Sequence, residues 1–294
     1  MTEHPRRPSV DSARTRVGFV GLGNIGKPMA QRLAAAEHVS LTVYDVAPGP
    51  VAELTEAGAS AAEDLGDLAR DVDVVCVMVR DDDQVRDVLE SVLAGGRAGG
   101  EPLVVAVHST VAPTTPADLA DAAARHGVHV VDAPVSGGPM GAAAGTLAIL
   151  VGGSDEAFAR ARPALEVLGE KVVHAGEVGA GTRFKLARNL LHFVAFTAAT
   201  EAQRLAEAAG LDLVALGDVV RHTDAITGGP GAIMHRDTTA EIEPDDFWHD
   251  VFGHVRDLGE KDLGFACALA DELGVDVPLA RLARDRLGPG LGLP

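Results

Sequence analysis

A short apolar run, Val17–Val20, leads without a break into Gly21, Gly23 and Gly26 and then into a helix-like segment, Ile25–Ala36. This junction constrains the chain more than any other feature. A strand that turns through glycines straight into a helix leaves unbonded backbone N–H groups at the positive end of that helix, a geometry that receives phosphate. Gly21 permits the tight turn, Gly23 lets a pyrophosphate approach the backbone, and Gly26 lets helix and strand pack closely. Leu22, Asn24 and Ile25 complete the turn and belong to the same candidate site. Pro28 is compatible with the first helical turn, where no N–H partner is needed.

The alternation continues downstream. Further strand candidates are Leu41–Tyr44, Val72–Val79, Leu103–Val107, His129–Asp132, Leu147–Val151 and Val172–Ala175; helix candidates are Val51–Ala57, Gln84–Leu93, Pro116–His126 and Glu156–Leu168. Several of the strands are continuous apolar runs, the pattern of strands covered on both faces. The order predicts an α/β fold: an N-terminal Rossmann domain with a doubly wound, mainly parallel sheet. After Gly181 the pattern is helical, with Thr182–Ala209, Val214–His222 and Asp257–Leu273, which predicts an all-α C-terminal domain. The expected division is a flexible tail over 1–14, a dinucleotide-binding domain over 15–176 and a helical substrate and oligomerisation domain over 177–294. The Gly-rich stretch 95–100 reads as a loop and the closing GPGLGLP as frayed.

Asp45 follows the second strand. A carboxylate there can bind the adenosine ribose hydroxyls and repels a 2′-phosphate, so NAD is expected over NADP. Asp81–Asp83 read as caps of the next helix rather than metal ligands, and no metal site is expected. His249 and His254 are five apart, a poor spacing for one helical face, and no carboxylate motif completes a zinc site. His108 and Ser109, adjacent at a strand end, point to opposite faces and do not make a hydrolase pair. Cys76 and Cys267 sit in apolar patterns without disulfide or metal spacing, as in a reducing cytoplasm. The formal net charge of −18 argues against nucleic acid and anionic membranes as partners. No run is long enough to span a bilayer, and the first residues lack an apolar signal segment.

Four motifs, in order, resemble the β-hydroxyacid dehydrogenase family, the 3-hydroxyisobutyrate dehydrogenase type in particular. They are GFVGLGNIGKPMA, then DAPVSGGPMGAAAGTLAILVGG from Asp132, GAGTRFKLARN from Gly179, and KDLGFACALADELGVDVPL from Lys261. The resemblance implies substrate-carboxylate contacts at Ser136, Gly137 and Gly138, a catalytic lysine at Lys185 with Asn189 as its partner, and Lys261 near the nicotinamide. It also implies cofactor contacts at Val79, Arg80 and Thr110, a small carboxylate as substrate, and a homodimer or homotetramer built through the helical domain. The residue types fit. Two glycines after a strand end expose N–H groups for a carboxylate, and Lys185 and Asn189, four apart on a helix, share one face.

Four positions depart from the family pattern. Val79–Arg80 stand where the family commonly has Leu-Pro. Val107 stands where an acidic residue precedes the Ser-Thr pair, and Arg188 where Asn or His precedes Asn189. Arg80 and Arg188 bring positive charge toward the site, and Arg188 is a candidate substrate contact. The expected activity is hydride transfer between NAD and a small β-hydroxy acid or its semialdehyde. An imine reductase is the second reading, which Lys185 argues against because such enzymes usually lack that lysine. A non-catalytic NAD-binding protein is the third.

Overall fold

The computed structural model describes residues 14–95 and 102–293. The expected tail, up to residue 13, and the expected Gly-rich loop from residue 96 on lie outside the described residues. From its start the chain forms β1 (Thr15–Val20), α1 (Gly26–Ala34), β2 (Val39–Tyr44), α2 (Pro48–Glu56), β3 (Ser60–Ala61), α3 (Leu65–Arg70), β4 (Val74–Val77), α4 (Asp82–Ala94), β5 (Leu103–Val107), α5 (Thr115–Ala124) and β6 (Val128–Asp132). It continues with β7 (Val135–Ser136), α6 (Gly138–Ala144), β8 (Ala148–Gly152), α7 (Asp155–Leu168) and β9 (Lys171–Gly176). The sheet order is β3-β2-β1-β4-β5-β6-β8-β7, with β9 paired to β8. Pairing is parallel from β3 through β6; β8 runs antiparallel to β6 and β7. Chain order reverses between β1 and β4, and a crevice outside the strand ends at such a point is where doubly wound sheets bind ligands.

The continuous apolar runs are explained by what lies on either side. Along β1, β4 and β5, alternate residues enter two separate cores. Val17, Phe19, Val74, Cys76, Val104 and Ala106 belong to one, and Val20, Val75, Val77, Leu103, Val105 and Val107 to the other. Each fully buried Val or Leu stabilises by about 1.5–3 kcal/mol relative to exposure, so a polar residue on either face would be costly. Burial also pushes the Cys76 thiol up to about 12, which leaves it an inert core residue.

The chain divides into two compact units, one ending at Ala187 and the other beginning at Arg188. Helix α8 (Ala180–Ala208) begins in the first unit and continues into the second, which also holds α9 (Leu213–Thr227), a short 3₁₀ turn (Gly229–Gly231), α10 (Phe247–Leu273) and α11 (Pro278–Gly290). Helix α10 begins ten residues before the expected Asp257, because the Asp246 side chain accepts from the Trp248 N–H and caps it there. The closing segment, as far as residue 293, is not frayed. Leu291 and Leu293 are buried with Ile242 and Phe252, and the Ile242 N–H donates to the Gly292 carbonyl at 2.8 Å. In the same unit the buried Glu201 of α8 accepts from the Leu279 and Ala280 N–H groups at 2.9 Å each, capping α11 across a long stretch of sequence.

Among the described residues no helix is long and apolar enough to cross a membrane.

Candidate functional site

A cleft of about 620 Å³ opens at the strand ends where chain order reverses. Gly21, Gly23, Asn24, Ile25, Gly26, Asp45, Val79 and Arg80 line it, together with Tyr44 and Gln84. The glycines divide the work as their surroundings dictate. A methyl at Gly26 would run into the Gly21 carbonyl oxygen and lie 3.3 Å from the Phe19 ring, whereas a methyl at Gly23 would meet nothing within 4 Å. Gly26 is therefore small for the protein's sake. Gly23 is small for the sake of whatever enters the cleft, and the site fits a dinucleotide on that observation. Leu22 is buried beneath the turn.

Asp45 does more than the sequence suggests. One carboxylate oxygen accepts from the Leu22 N–H at 2.6 Å and the other from the Ala47 N–H at 2.7 Å. It fixes the glycine turn against the end of β2 and still presents lone pairs to the cleft. Arg80 is exposed, its guanidinium bonded to Asp81 at 3.0 Å. Asp81 caps α4 by accepting from the Gln84 N–H at 3.0 Å. That bond, and then the Arg80 guanidinium, holds its carboxyl below the ordinary value. Asp82 accepts from Thr115 and from the Ala112 N–H. The acidic cluster is thus occupied with caps and turns, and among the described residues no group of three His, Cys, Asp or Glu could hold a metal ion.

Ser109 is a residue whose role the sequence did not disclose. Its buried hydroxyl donates to the Val79 carbonyl at 2.8 Å and accepts from the Val79 N–H at 3.0 Å, tying the chain after β5 to the chain after β4. Thr110, next to it, is exposed and does not line the cleft. His108 is fully buried and stacks on Phe19, with Nδ1 2.9 Å from the Ala133 carbonyl oxygen and Nε2 without a partner. Burial lowers it to about 4, so it is a neutral core ring near neutral pH.

A second constellation forms where β6 ends. The Lys185 amine, buried on α8, donates to the Val135 carbonyl at 2.6 Å and lies 3.5 Å from the Ser136 hydroxyl. Residues forty-nine apart in sequence are thereby brought together. Gly137 and Gly138 follow with φ of 135° and 61°, a backbone that side chains rarely adopt, and open α6. The next turn of α8 carries Arg188, exposed, and Asn189, half-buried, with a long contact of 3.5 Å between them. Lys261 lies on α10 of the second unit, exposed and paired with Asp262 at 3.1 Å.

Comparison with known proteins shows the family. Residues 16–176 match the family described as the NAD binding domain of 6-phosphogluconate dehydrogenase, and residues 179–288 the one described as NAD-binding of NADP-dependent 3-hydroxyisobutyrate dehydrogenase. The chain belongs to the β-hydroxyacid dehydrogenase family. Among its relatives in that family, an uncharacterised oxidoreductase of Mycobacterium tuberculosis is 50% identical over all of this chain and 97% of its own. The 3-hydroxyisobutyrate dehydrogenase of Pseudomonas aeruginosa is 37% identical over 92% of this chain and 90% of its own. A crystal structure of an oxidoreductase from Mycobacterium avium, 50% identical, superposes with a TM-score of 0.90 over 95% of this chain and 99% of that one. As a family member the protein is an oxidoreductase of the nicotinamide-dependent dehydrogenase type.

Proposed function

We propose that the protein oxidises a small β-hydroxy acid to its semialdehyde, reversibly, with NAD as cofactor and Lys185 as general acid/base. The observation that carries this is the Lys185 amine, buried and aimed by the Val135 carbonyl to within 3.5 Å of Ser136. A lysine with no function would normally be solvated on the surface. Ser136 and the open backbone at Gly137 and Gly138 would hold the substrate carboxylate. Lys185 would take the hydroxyl proton during oxidation and return it during reduction. Asn189, one turn further along α8, would orient the hydroxyl. Arg188 would add charge for the carboxylate, and Lys261 would approach the nicotinamide. The glycine turn, Asp45 and Val79 would hold the dinucleotide, which when bound supplies the hydride chemistry.

NAD is preferred over NADP in this reading. Asp45 lines the cleft at the end of β2, where a carboxylate would repel a ribose 2′-phosphate, and the residues after it, Val46, Ala47 and Pro48, offer no cation. Arg80 lines the same cleft but is engaged with Asp81. The test is reduced-nicotinamide absorbance across a panel of small β-hydroxy acids and semialdehydes, run with NAD and NADP in parallel. The expected result is turnover with NAD at about tenfold or greater preference, roughly 1.4 kcal/mol. Turnover with NADP alone contradicts the cofactor assignment. Nucleotide binding without any turnover favours a non-catalytic nucleotide-binding protein.

The second unit supports a proposal about assembly. Leu190, Phe193 and Val194 on α8, and Val251, Leu258 and Phe265 on α10, are exposed at helical spacing. Apolar stripes of this kind on a soluble chain mark a surface that another protein covers, and we propose that a second copy covers them in a homodimer or homotetramer. Sedimentation should give at least a dimer, and Phe193→Asp should lower the mass. A wild-type chain sedimenting as a monomer at micromolar concentration contradicts the proposal.

A further inference from the structure

The start of α8 is fastened to the sheet by a single carboxylate. Asp132, the last residue of β6, is fully buried and accepts from the Gly179 and Thr182 N–H groups, at 2.6 Å each. These are among the unbonded donors every helix leaves at its first turn, and a carboxylate there also complements the helix dipole. Three residues beyond Asp132 is Val135, whose carbonyl receives the Lys185 amine; three residues beyond Thr182 is Lys185 itself. The two contacts therefore form a pair of rungs between the same two segments, one made by a strand side chain to helix backbone, the other by a helix side chain to strand backbone. Gly181 lies between the two donors of the Asp132 rung. A methyl there would run into the Leu150 carbonyl oxygen and come within 2.8 Å of the Asp132 carbonyl oxygen, so the helix start lies directly on β6 and β8.

A lysine side chain has four rotatable bonds and does not aim itself. Its amine is placed only as well as the backbone that carries it. We propose that Asp132 is a positioning residue for Lys185: by clamping the first turn of α8 it sets the amine on the Val135 carbonyl beside Ser136. This deepens the proposed function and rests on it for its catalytic consequence, though not for the position of the amine.

The test uses Asp132→Asn in the full chain. The amide keeps the size of the carboxylate but can accept through only one oxygen, and its NH₂ faces an N–H donor. The expected result is a kcat lower by about 10–100-fold, the loss that a displacement of about 1 Å produces, with NAD affinity within about twofold. The second readout is the labelling rate of Lys185 by trinitrobenzenesulfonate, located by peptide mapping, which should rise several-fold as the amine leaves the Val135 carbonyl. Should Asp132→Asn fail to fold, Asp132→Ser, whose hydroxyl still accepts one N–H, is read by the same labelling. Unchanged labelling in the folded variant overturns the proposal, whether or not kcat falls. Labelling reports the amine's surroundings even if Lys185 moves no proton. A failure of the catalytic reading, seen as full activity in Lys185→Met, is thereby told apart from a failure of the clamp.

Discussion

Lys185→Met should lower kcat by about 10²–10⁴-fold, the usual contribution of a positioned general acid/base, while NAD affinity stays within about twofold. Methionine keeps the length and the apolar stem of the side chain and removes only the amine. The cleft that receives the dinucleotide is lined by other residues, so binding and turnover separate. The variant also leaves the Val135 carbonyl without its amine. An unsatisfied buried acceptor costs about 1–3 kcal/mol, so a modest drop in Tm accompanies the loss of rate. Isothermal titration with NAD and initial-rate kinetics on the same preparation check both halves. Loss of NAD binding with turnover retained would reverse the assignment.

The second large effect separates two glycines of the same turn. Gly26→Ala places a methyl against the Gly21 carbonyl oxygen and the Phe19 ring. Helix α1 must lift from β1, at a cost of about 3 kcal/mol, the upper end for overpacking. The Tm of the N-terminal unit should fall by about 6–12 °C, and dinucleotide binding should weaken with it. Gly23→Ala meets open space, so thermal unfolding should be unchanged while the NAD Kd rises by about tenfold or more, roughly 1.4 kcal/mol. Differential scanning calorimetry and titration on the two variants distinguish the effects. Equal stability of both variants, or full NAD affinity in Gly23→Ala, contradicts the division of roles.

Much of the Rossmann unit was legible because burial on both faces writes itself into sequence as unbroken apolar runs; Leu103–Val107 is the clearest case, found as β5 with the same bounds. The elements that escaped notice have physical reasons to do so. Strands β3 and β7 are two residues each and helix α3 only six, too short for any period. Helix α6 carries Gly138, Pro139 and Gly141 and reads as a turn. Helix α11 starts at Pro278 and owes its cap to Glu201, a residue distant in the chain. The same holds for the site. The glycine turn is local and was visible. Lys185 and Ser136 were paired through the family resemblance, and the structure adds the Val135 carbonyl that receives the amine. The roles of Ser109 on Val79, Asp45 on Leu22 and Asp132 on α8 are bonds from a side chain to a remote backbone. Such bonds have no spacing rule, because the partner is chosen by the fold and not by neighbouring residues.

The proposed chemistry requires that this chain move a hydride between a small hydroxy acid and NAD, with Lys185 moving the proton. The most direct measurement supplies NAD with β-hydroxy acids deuterated at the hydroxyl-bearing carbon and follows the label by mass spectrometry, for the wild-type protein and for Lys185→Met. The expected result is deuterium at C4 of the reduced nicotinamide with the wild type, and its loss by about 10²-fold or more with the variant. Tightly bound NAD that stays unlabelled and oxidised across the whole set, or equal label transfer by the two proteins, would contradict it.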